Sequence, residues 1–222
     1  MTLASCDSRK TAGENPFFTE WDTPHGVPPF DKILPEHFMP AFERGMSLHE
    51  AEIDAITSNK DEATFENTIL AYDDAGQMLA QTELVFGMLC AAETNDRMQA
   101  LQEQAMPLLA AHRDKIRLDD KLFVRVKEVY DRRAALGLDA EQMRLLQKTY
   151  DSFVRAGALL DAEQKARLKE INGQLSLTAV KFGNNILAEN NNFVLELKSD
   201  ELDGLPAGIR DAAREKARQM GK

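Results

Sequence analysis

Residues 15–43 read NPFFTEWDTPHGVPPFDKILPEHFMPAFE and are the most informative stretch of the chain. Six prolines and five phenylalanines lie in this stretch. Proline fixes the backbone angle φ and has no N–H group, so such a run does not join a sheet. We expect residues 15–34 to form an extended segment that wraps around a body built by other residues. A turn at Pro35 then leads into the first long helix.

Downstream of this wrap, apolar residues recur every three or four positions, which is the spacing of helices with one buried face. The first helix, at about residues 39–57, has the face Phe38, Phe42, Met46, His49, Ile53 and Ile56. Further helices are predicted at about residues 64–94, 96–115, 119–135, 161–190 and 207–220, with one more that starts after Asp139. Thr64 and Asp139 are the expected N-caps, and Pro107 should kink the helix that contains it. The third helix presents Met98, Leu101, Ala105 and Leu108.

The hydrophobic period changes only near the end of the chain. Phe193–Leu197 lies between two polar clusters, and we interpret it as a short strand. The predicted fold is therefore all-α: an antiparallel helical bundle with an extended proline- and aromatic-rich N-terminal wrap and one short strand near the C-terminus.

Composition excludes several classes of function. The 222 residues carry a formal net charge of −10, and 43% of them are hydrophobic. This length suits one large domain or two small ones. A nucleic-acid partner is not expected, because phosphate binding needs clustered basic residues, and here they alternate with acidic ones. A membrane span is not expected either, since no run approaches the roughly 20 apolar residues that it needs.

Two cysteines occur, and they do not form a disulfide framework. Cys90 lies in an apolar helical run and should pack as a small core residue. Leu3-Ala4-Ser5-Cys6 resembles the cleavage site of a bacterial lipoprotein. A signal peptide needs a charged start and an apolar run of about 7–15 residues, but only five residues precede Cys6. Either the signal is truncated or the match is accidental, and both interpretations stay open.

Several ordered motifs carry a resemblance to a known family. They are the 15–43 stretch, Thr64-Phe65-Glu66-Asn67-Thr68-Ile69, Leu108 with Ala111-His112-Arg113-Asp114 and Ile116, Tyr150-Asp151-Ser152-Phe153-Val154-Arg155-Ala156-Gly157-Ala158-Leu159, and Leu202-Asp203-Gly204-Leu205-Pro206. In this order the chain, from Asn15 to Lys222, resembles the thimet-oligopeptidase-like zinc metallopeptidases, most closely the bacterial peptidyl-dipeptidases and oligopeptidase A.

The resemblance implies a mostly helical, two-lobed enzyme whose deep channel admits short peptides to a zinc ion. The peptidyl-dipeptidases release dipeptides from the free carboxyl end of a peptide. By this analogy, residues 1–14 are a flexible tail, residues 15–190 are a helical lobe with part of the channel wall, and residues 191–222 begin the connection into the catalytic part. The implied location is bacterial, either cytoplasmic or, if Cys6 belongs to a lipoprotein signal, periplasmic and lipid-anchored.

The zinc chemistry of that family needs two histidines four residues apart on one helix, a glutamate after the first histidine, and a third ligand downstream. The one candidate is His49-Glu50-Ala51-Glu52-Ile53, in which the second histidine is replaced by Ile53. We therefore predict no catalytic residue, no cofactor-binding residue and no metal ligand in this chain. Zinc, the peptide substrates and the catalytic part are implied for the parent enzyme only.

The remaining candidates are interpreted as structural. His49 and His112 fall on or beside buried helix faces, His37 should contact the wrap, and His25 lies in a turn. Trp21, Phe30 and at least one of Phe17 and Phe18 should be largely buried against the helices. The methionines at positions 78, 88, 98, 106 and 143 should fill core gaps. An alternative function is that of a free-standing helical interaction module that never had a catalytic half.

Overall fold

The structure, a computed structural model, describes residues 14–221, apart from the side chain of Ser199. Within this range the chain forms α-helices and short 3₁₀ or π turns and no strand. The helices are α1 (Phe38–Ser58), α2 (Ala71–Asp74), α3 (Gln77–Ala92), α4 (Asp96–Arg117), α5 (Asp120–Asp131), α6 (Ala140–Arg155), α7 (Ala162–Asn192) and α8 (Ala207–Gln219). The predicted all-α class is confirmed. Cys6 and nearly all of the predicted tail 1–14 lie outside the described residues.

The described chain divides into two compact units, one up to Gly183 and one from Asn184, so the boundary falls inside α7. In the first unit, α1 packs on α3, α4 and α5, and α5 packs on α6. The second unit contains the end of α7, a 3₁₀ turn at Ser199–Glu201 and α8. The Glu201 carboxylate accepts a hydrogen bond from the Lys198 N–H at 2.7 Å, which fixes the entry to that turn.

The N-terminal wrap is held by side chains that bond to the backbone. The Asn15 side chain accepts from the Phe17 N–H at 3.1 Å and donates to the His37 carbonyl at 2.8 Å. The Trp21 indole N–H donates to the Pro16 carbonyl at 2.8 Å. Phe17 is buried, and its ring centroid lies 5.3 Å from that of Phe38. The wrap therefore contacts the start of α1, as the proline-rich pattern predicts.

The prediction for the other aromatic residues of the wrap is only partly right. Trp21 is half-buried, with its ring centroid 6.1 Å from that of Phe17. The expected burial of Phe30 is wrong, because its side chain is 40% exposed. The turn that begins at Pro29 turns Ile33 toward the core instead: the Ile33 N–H donates to the Pro29 carbonyl, and Ile33 is buried.

Helix α1 contributes to two hydrophobic clusters. Its first half joins Phe17 and Ile33 of the wrap with residues of α3 and α4, among them Leu79, Phe86, Met98 and Leu109. Its second half joins residues of α5 and α6, among them Leu122, Val126, Leu146 and Phe153. The apolar spacing predicted for this helix is confirmed at Phe38, Phe42, Ile53 and Ile56, all of which are buried.

The single helix predicted at residues 64–94 is wrong, because the structure breaks it. A π-helical turn, Phe65–Leu70, precedes α2, and α3 begins only after Gly76. Thr64 is the predicted N-cap, since its hydroxyl accepts from the Asn67 N–H at 3.1 Å. Gly76 has a left-handed φ of +78°, and its N–H donates to the Glu52 carboxylate of α1 at 2.7 Å. The backbone therefore turns at Gly76 and cannot continue as a helix.

The predicted face of α4 is wrong at one position. Leu108 is 46% exposed, whereas Leu109 is buried. Residues Met98, Ala105, Leu109, His112 and Ile116 are the buried ones. Each residue turns a helix by about 100°, so the buried face that contains Leu109 leaves Leu108 at its edge. Pro107 lies inside the helix, which continues to Arg117.

Helices α5 and α6 both begin directly after an aspartate, as the sequence predicts. The Asp119 carboxylate caps α5 by accepting from the Leu122 N–H at 2.7 Å. The Asp139 carboxylate caps α6 and accepts from the N–H groups of Glu141 and Gln142, both at 2.9 Å. These caps confirm that the acidic residues at both positions start helices.

Two features near the C-terminus differ from a buried helical core. The apolar residues Ile171, Leu175 and Phe182 of α7 are exposed in the first unit. The short strand predicted at Phe193–Leu197 is not confirmed: this segment has no regular secondary structure, because a strand needs a neighbour to pair its backbone groups, and residues 14–221 supply none. Across residues 14–221, every helix is too short or too polar to cross a bilayer.

Candidate functional site

The structure separates two of the four histidines from the other two. His25 lies in an exposed 3₁₀ turn with a φ of +60°. His37 is buried at the start of α1, and its Nδ1 accepts from the Leu34 N–H at 3.1 Å. His37 therefore shapes the entry to α1, while His25 belongs to a surface turn.

The other two histidines contact each other across two helices. His49 of α1 and His112 of α4 are 63 positions apart, yet His49 Nδ1 and His112 Nε2 are 3.0 Å apart. The ring centroids are separated by 5.1 Å, with 59° between the ring planes. His112 is buried, whereas His49 is half-buried. The structure thus places a pair of imidazole rings in contact at the α1–α4 interface.

The pair continues into a charged chain on its outer side. Glu50 Oε1 lies 3.5 Å from His112 Nδ1, which is long for a hydrogen bond. Glu50 Oε2 lies 2.7 Å from Lys115 Nζ. The hydrogen bond from Lys115 lowers the pKa of Glu50, so this carboxylate stays ionised. A carboxylate, two imidazoles and an ammonium group therefore lie in one connected row.

Burial sets the ionisation of the two imidazoles. Desolvation lowers the pKa of His49, the charge of His112 lowers it further, and Glu52 and Glu50 oppose both effects. Desolvation also lowers the pKa of His112, against the raising effect of Glu50. Burial disfavours a charged imidazole, so both rings are mainly neutral at pH 7.

An open groove of about 400 Å³ lies beside this row, between α1 and α4. Its walls are formed by Glu43, Met46, Ser47, Glu50, Leu108, Ala111, His112 and Lys115. Leu108 is exposed on α4 because it faces this groove and not the core. The groove is thus lined by both charged and apolar groups.

These residues do not fit a zinc site. Ile53, at the position where the zinc motif needs its second histidine, is 3% exposed and belongs to the hydrophobic core. The described residues contain no group of three or more His, Cys, Asp or Glu side chains that could hold a metal ion. The expectation that this chain supplies no zinc ligand stays a prediction.

The other reactive or charged residues considered have environments typical of structural residues. Burial raises the pKa of the Cys90 thiol, so it is not an activated nucleophile. Asp73 and Asp74 are exposed at the end of α2. Met98 is buried, but Met88 is exposed, so the prediction that all five methionines fill the core is wrong at Met88.

The sequence pattern missed the pairing of His49 with His112. Each was placed at or near the buried face of its own helix, and no short-range spacing links them. The one available signal was that both helices carry a histidine where an apolar residue would continue the face. Only the packing of α1 on α4 turns these two positions toward each other.

The chain is similar in sequence to known bacterial peptidases. The chain is 38% identical over 208 residues to the dipeptidyl carboxypeptidase of Escherichia coli strain K12, and 36% identical over 208 residues to that of Salmonella typhimurium. Each alignment covers 93% of this chain. The oligopeptidase A of Escherichia coli is 24% identical over 196 residues, or 88% of the chain. No family model matches the chain.

The chain spans about 30% of the length of these relatives, 30% and 31% for the two carboxypeptidases and 29% for oligopeptidase A. The similarity extends over nearly all of the chain and includes the helices that hold the His49–His112 pair. The predicted resemblance is confirmed: this chain is a homologue of the bacterial dipeptidyl carboxypeptidases and, more distantly, of oligopeptidase A.

Proposed function

We propose that this chain is the N-terminal, non-catalytic helical part of a zinc metallopeptidase that hydrolyses short peptides. The observation that carries the proposal is the 38% identity to a dipeptidyl carboxypeptidase over 93% of the chain. At that identity and coverage two chains share a fold, and the match extends through every helix of the first unit. The same part would form the distal lobe and the channel wall, with its helices arranged as an antiparallel bundle.

The catalytic chemistry belongs, in this proposal, to residues outside this chain. A catalytic zinc site keeps three protein ligands and one open position. The family pattern supplies two of these ligands from histidines one helical turn apart, and Ile53 replaces one of them. Zinc and the release of dipeptides are therefore assigned to the other part of the parent enzyme.

An apolar stripe on α7 supports the presence of a partner surface. Ile171, Leu175 and Phe182 are spaced along one side of this helix and are all exposed. Exposed apolar residues on one helix face are typical of surfaces that another chain segment covers. The proposed occupant is the catalytic part of the same enzyme, and the peptide substrates would contact the channel that both parts form.

The second candidate is a free-standing helical interaction module, and the same exposed stripe favours it. In that case a different protein would cover Ile171, Leu175 and Phe182. The codons that follow Lys222 distinguish the two candidates. An in-frame His-Glu-x-x-His motif several hundred residues downstream supports the peptidase part, whereas its absence there supports the module. By analogy with the relatives we propose a bacterial enzyme, either cytoplasmic or, if Cys6 is part of a lipoprotein signal, anchored outside the inner membrane.

A direct test uses the purified 222-residue chain. We expect less than one zinc ion per chain by elemental analysis and no release of dipeptides from a short peptide. Chelator-sensitive dipeptide release, or about one zinc per chain, would overturn the non-catalytic assignment. The control is the intact Escherichia coli dipeptidyl carboxypeptidase assayed in the same buffers.

A chimera tests the lobe assignment. This chain replaces the segment of the Escherichia coli dipeptidyl carboxypeptidase with which it aligns, and we expect the hybrid to release dipeptides. Phe182→Asp, on the α7 stripe, should abolish that activity. Leu84→Asp should leave it intact, because Leu84 lies on α3 and is 66% exposed, against 65% for Phe182. A hybrid that is inactive without either substitution, or equal loss for both substitutions, argues against the proposed stripe contact.

A further inference from the structure

The His49–His112 contact joins two helices through one hydrogen bond between imidazole rings. A bond between two imidazole nitrogens needs one N–H and one lone pair, because two lone pairs or two N–H groups repel. The 3.0 Å separation of His49 Nδ1 and His112 Nε2 therefore restricts how many protons the pair holds while α1 and α4 stay in contact.

Glu50 determines the neutral arrangement. Its carboxylate lies 3.5 Å from His112 Nδ1, so a proton on Nδ1 is favoured by the charge. The Nε2 atom of His112 then carries the lone pair, and the N–H on His49 Nδ1 donates to it. In this state both rings are neutral and all the facing atoms are complementary.

The contact also accepts one extra proton. If His112 is cationic, its Nε2–H donates to the lone pair on His49 Nδ1, and its Nδ1–H faces Glu50. A second extra proton places an N–H on both facing nitrogens, with a positive charge on both rings. The hydrogen bond is then lost, and two like charges lie in one buried contact.

The charged groups that face the pair come from three helices. They are Glu50 and Glu52 of α1, Glu83 of α3 and Lys115 of α4. Lys115 is paired with Glu50, and Arg113 lies 3.8 Å from Glu83, so each basic group has an acidic partner. Despite this acidic surplus, burial keeps the pKa of both histidines below its ordinary value.

We propose that the His49–His112 pair is a pH-sensitive contact that holds α1 against α4 while at least one ring is neutral and opens when both rings are protonated. The contact is a hydrogen bond between a residue of α1 and a residue of α4, and one of its two rings, His112, is buried. This inference is independent of the proposed peptidase function and concerns the regulation of the helical part itself.

The sign of the effect follows from the lowered pKa values. The pair contributes its full stability above the ordinary histidine pKa of about 6.5, and this contribution is lost as the pH falls through the lowered values. Between those limits, the unfolded chain binds more protons than the native chain, and the pair accounts for at most two of them. The unfolding constant should therefore rise with acidification, by at most about one hundredfold per pH unit from the intact pair and by at most about tenfold per pH unit from one histidine of the pair.

Denaturant unfolding at pH values from 7.5 to 5 tests this slope on the 222-residue chain. Wild type should show the steep dependence, and His49→Gln or His112→Gln should reduce it toward the single-histidine value. His25→Gln, in an exposed turn, is the matched control and should leave the slope unchanged. Equal slopes for wild type and both pair variants would overturn the proposal.

Nuclear magnetic resonance titration of the histidine rings provides a second measurement that needs no unfolding. In wild type both ring titrations should have midpoints below about 6.5. In His112→Gln the His49 midpoint should rise, because the neighbouring charge has been removed. If the glutamine variants do not fold, the wild-type titration still decides: independent midpoints at about 6.5 for both rings would overturn the proposal.

Discussion

Gly45 of α1 lies directly against Leu79 of α3. A Cβ atom on Gly45 would lie 3.0 Å from the Leu79 Cα atom and 3.2 Å from its backbone nitrogen, closer than side-chain atoms normally approach a backbone. The two helices therefore meet through their backbones at this point. Because Leu79 is buried and belongs to the cluster formed with Phe38 and Phe42, this crossing cannot open without disturbing that core.

The first prediction concerns the glycine at this crossing. Gly45→Ala should lower the free energy of unfolding by about 1–3 kcal/mol, since the new methyl group must push Leu79 away. Gly87→Ala is the control, because a Cβ atom there meets nothing within 4 Å on the exposed side of α3. That control should raise stability by about 0.5–1 kcal/mol, as alanine favours a helix over glycine. Chemical denaturation measures both, and equal effects of the two substitutions would contradict the backbone contact.

The second prediction tests the wrap. Phe17→Ala removes a buried ring that contacts Phe38 and Trp21, so unfolding should become easier by about 3–5 kcal/mol. Phe30→Ala removes an exposed ring from the same segment and should change the stability by no more than about 0.5 kcal/mol. Thermal unfolding followed by circular dichroism compares the two. A Phe17 variant as stable as wild type would mean that the wrap does not support α1.

The third prediction concerns a buried cation that fixes the loop before the π-helical turn. Arg125 of α5 donates to the carbonyls of Asn59 and Asp61, both at 3.1 Å, and to the Asn67 side chain at 3.0 Å. Arg125→Met leaves these acceptors without their cation, so we expect a loss of about 1.5–3 kcal/mol. Urea denaturation is the measurement.

The control for Arg125 is an exposed arginine that pairs with a carboxylate. Arg97 lies 3.1 Å from Glu36, but its side chain is largely exposed. Arg97→Met should therefore cost no more than about 1 kcal/mol, the range of surface ion pairs. If both variants lose the same amount, the loop is not organised by Arg125.

Periodicity in the sequence predicted the helices well because most of them bury one face. It failed where a single backbone angle or the packing of a partner decided the outcome. The left-handed φ of Gly76 interrupts the predicted second helix. A single glycine inside an apolar run is not enough to predict such an angle. The periodicity places Leu108 on the buried face of α4. In the structure Leu108 lines the open α1–α4 groove, and Leu109 is the residue buried in the core.

The site was less predictable than the fold for a different reason. The sequence shows that the His-Glu-x-x-His pattern is incomplete, because that pattern is local. The contact between His49 and His112 depends on the way in which α1 packs on α4, and no local pattern encodes it. The burial of Ile33 in place of Phe30 is also not encoded by a local pattern, because the backbone of the turn at Pro29 determines which of the two side chains points inward.

The last prediction combines the turn with the histidine pair. Gly76 has a φ of +78°, and a Cβ atom there would lie 3.0 Å from His49 Nδ1. Gly76→Ala therefore meets two penalties, the left-handed angle and the imidazole ring, and should destabilise the chain more than the angle alone, which costs about 1–2 kcal/mol. Gly137→Ala is the matched control, because its φ is +65° and a Cβ atom there meets nothing within 4 Å. In a double-mutant cycle with His49→Ala, the excess cost of Gly76→Ala over Gly137→Ala should disappear. An excess that persists without the His49 ring would show that the strain at Gly76 has nothing to do with the imidazole.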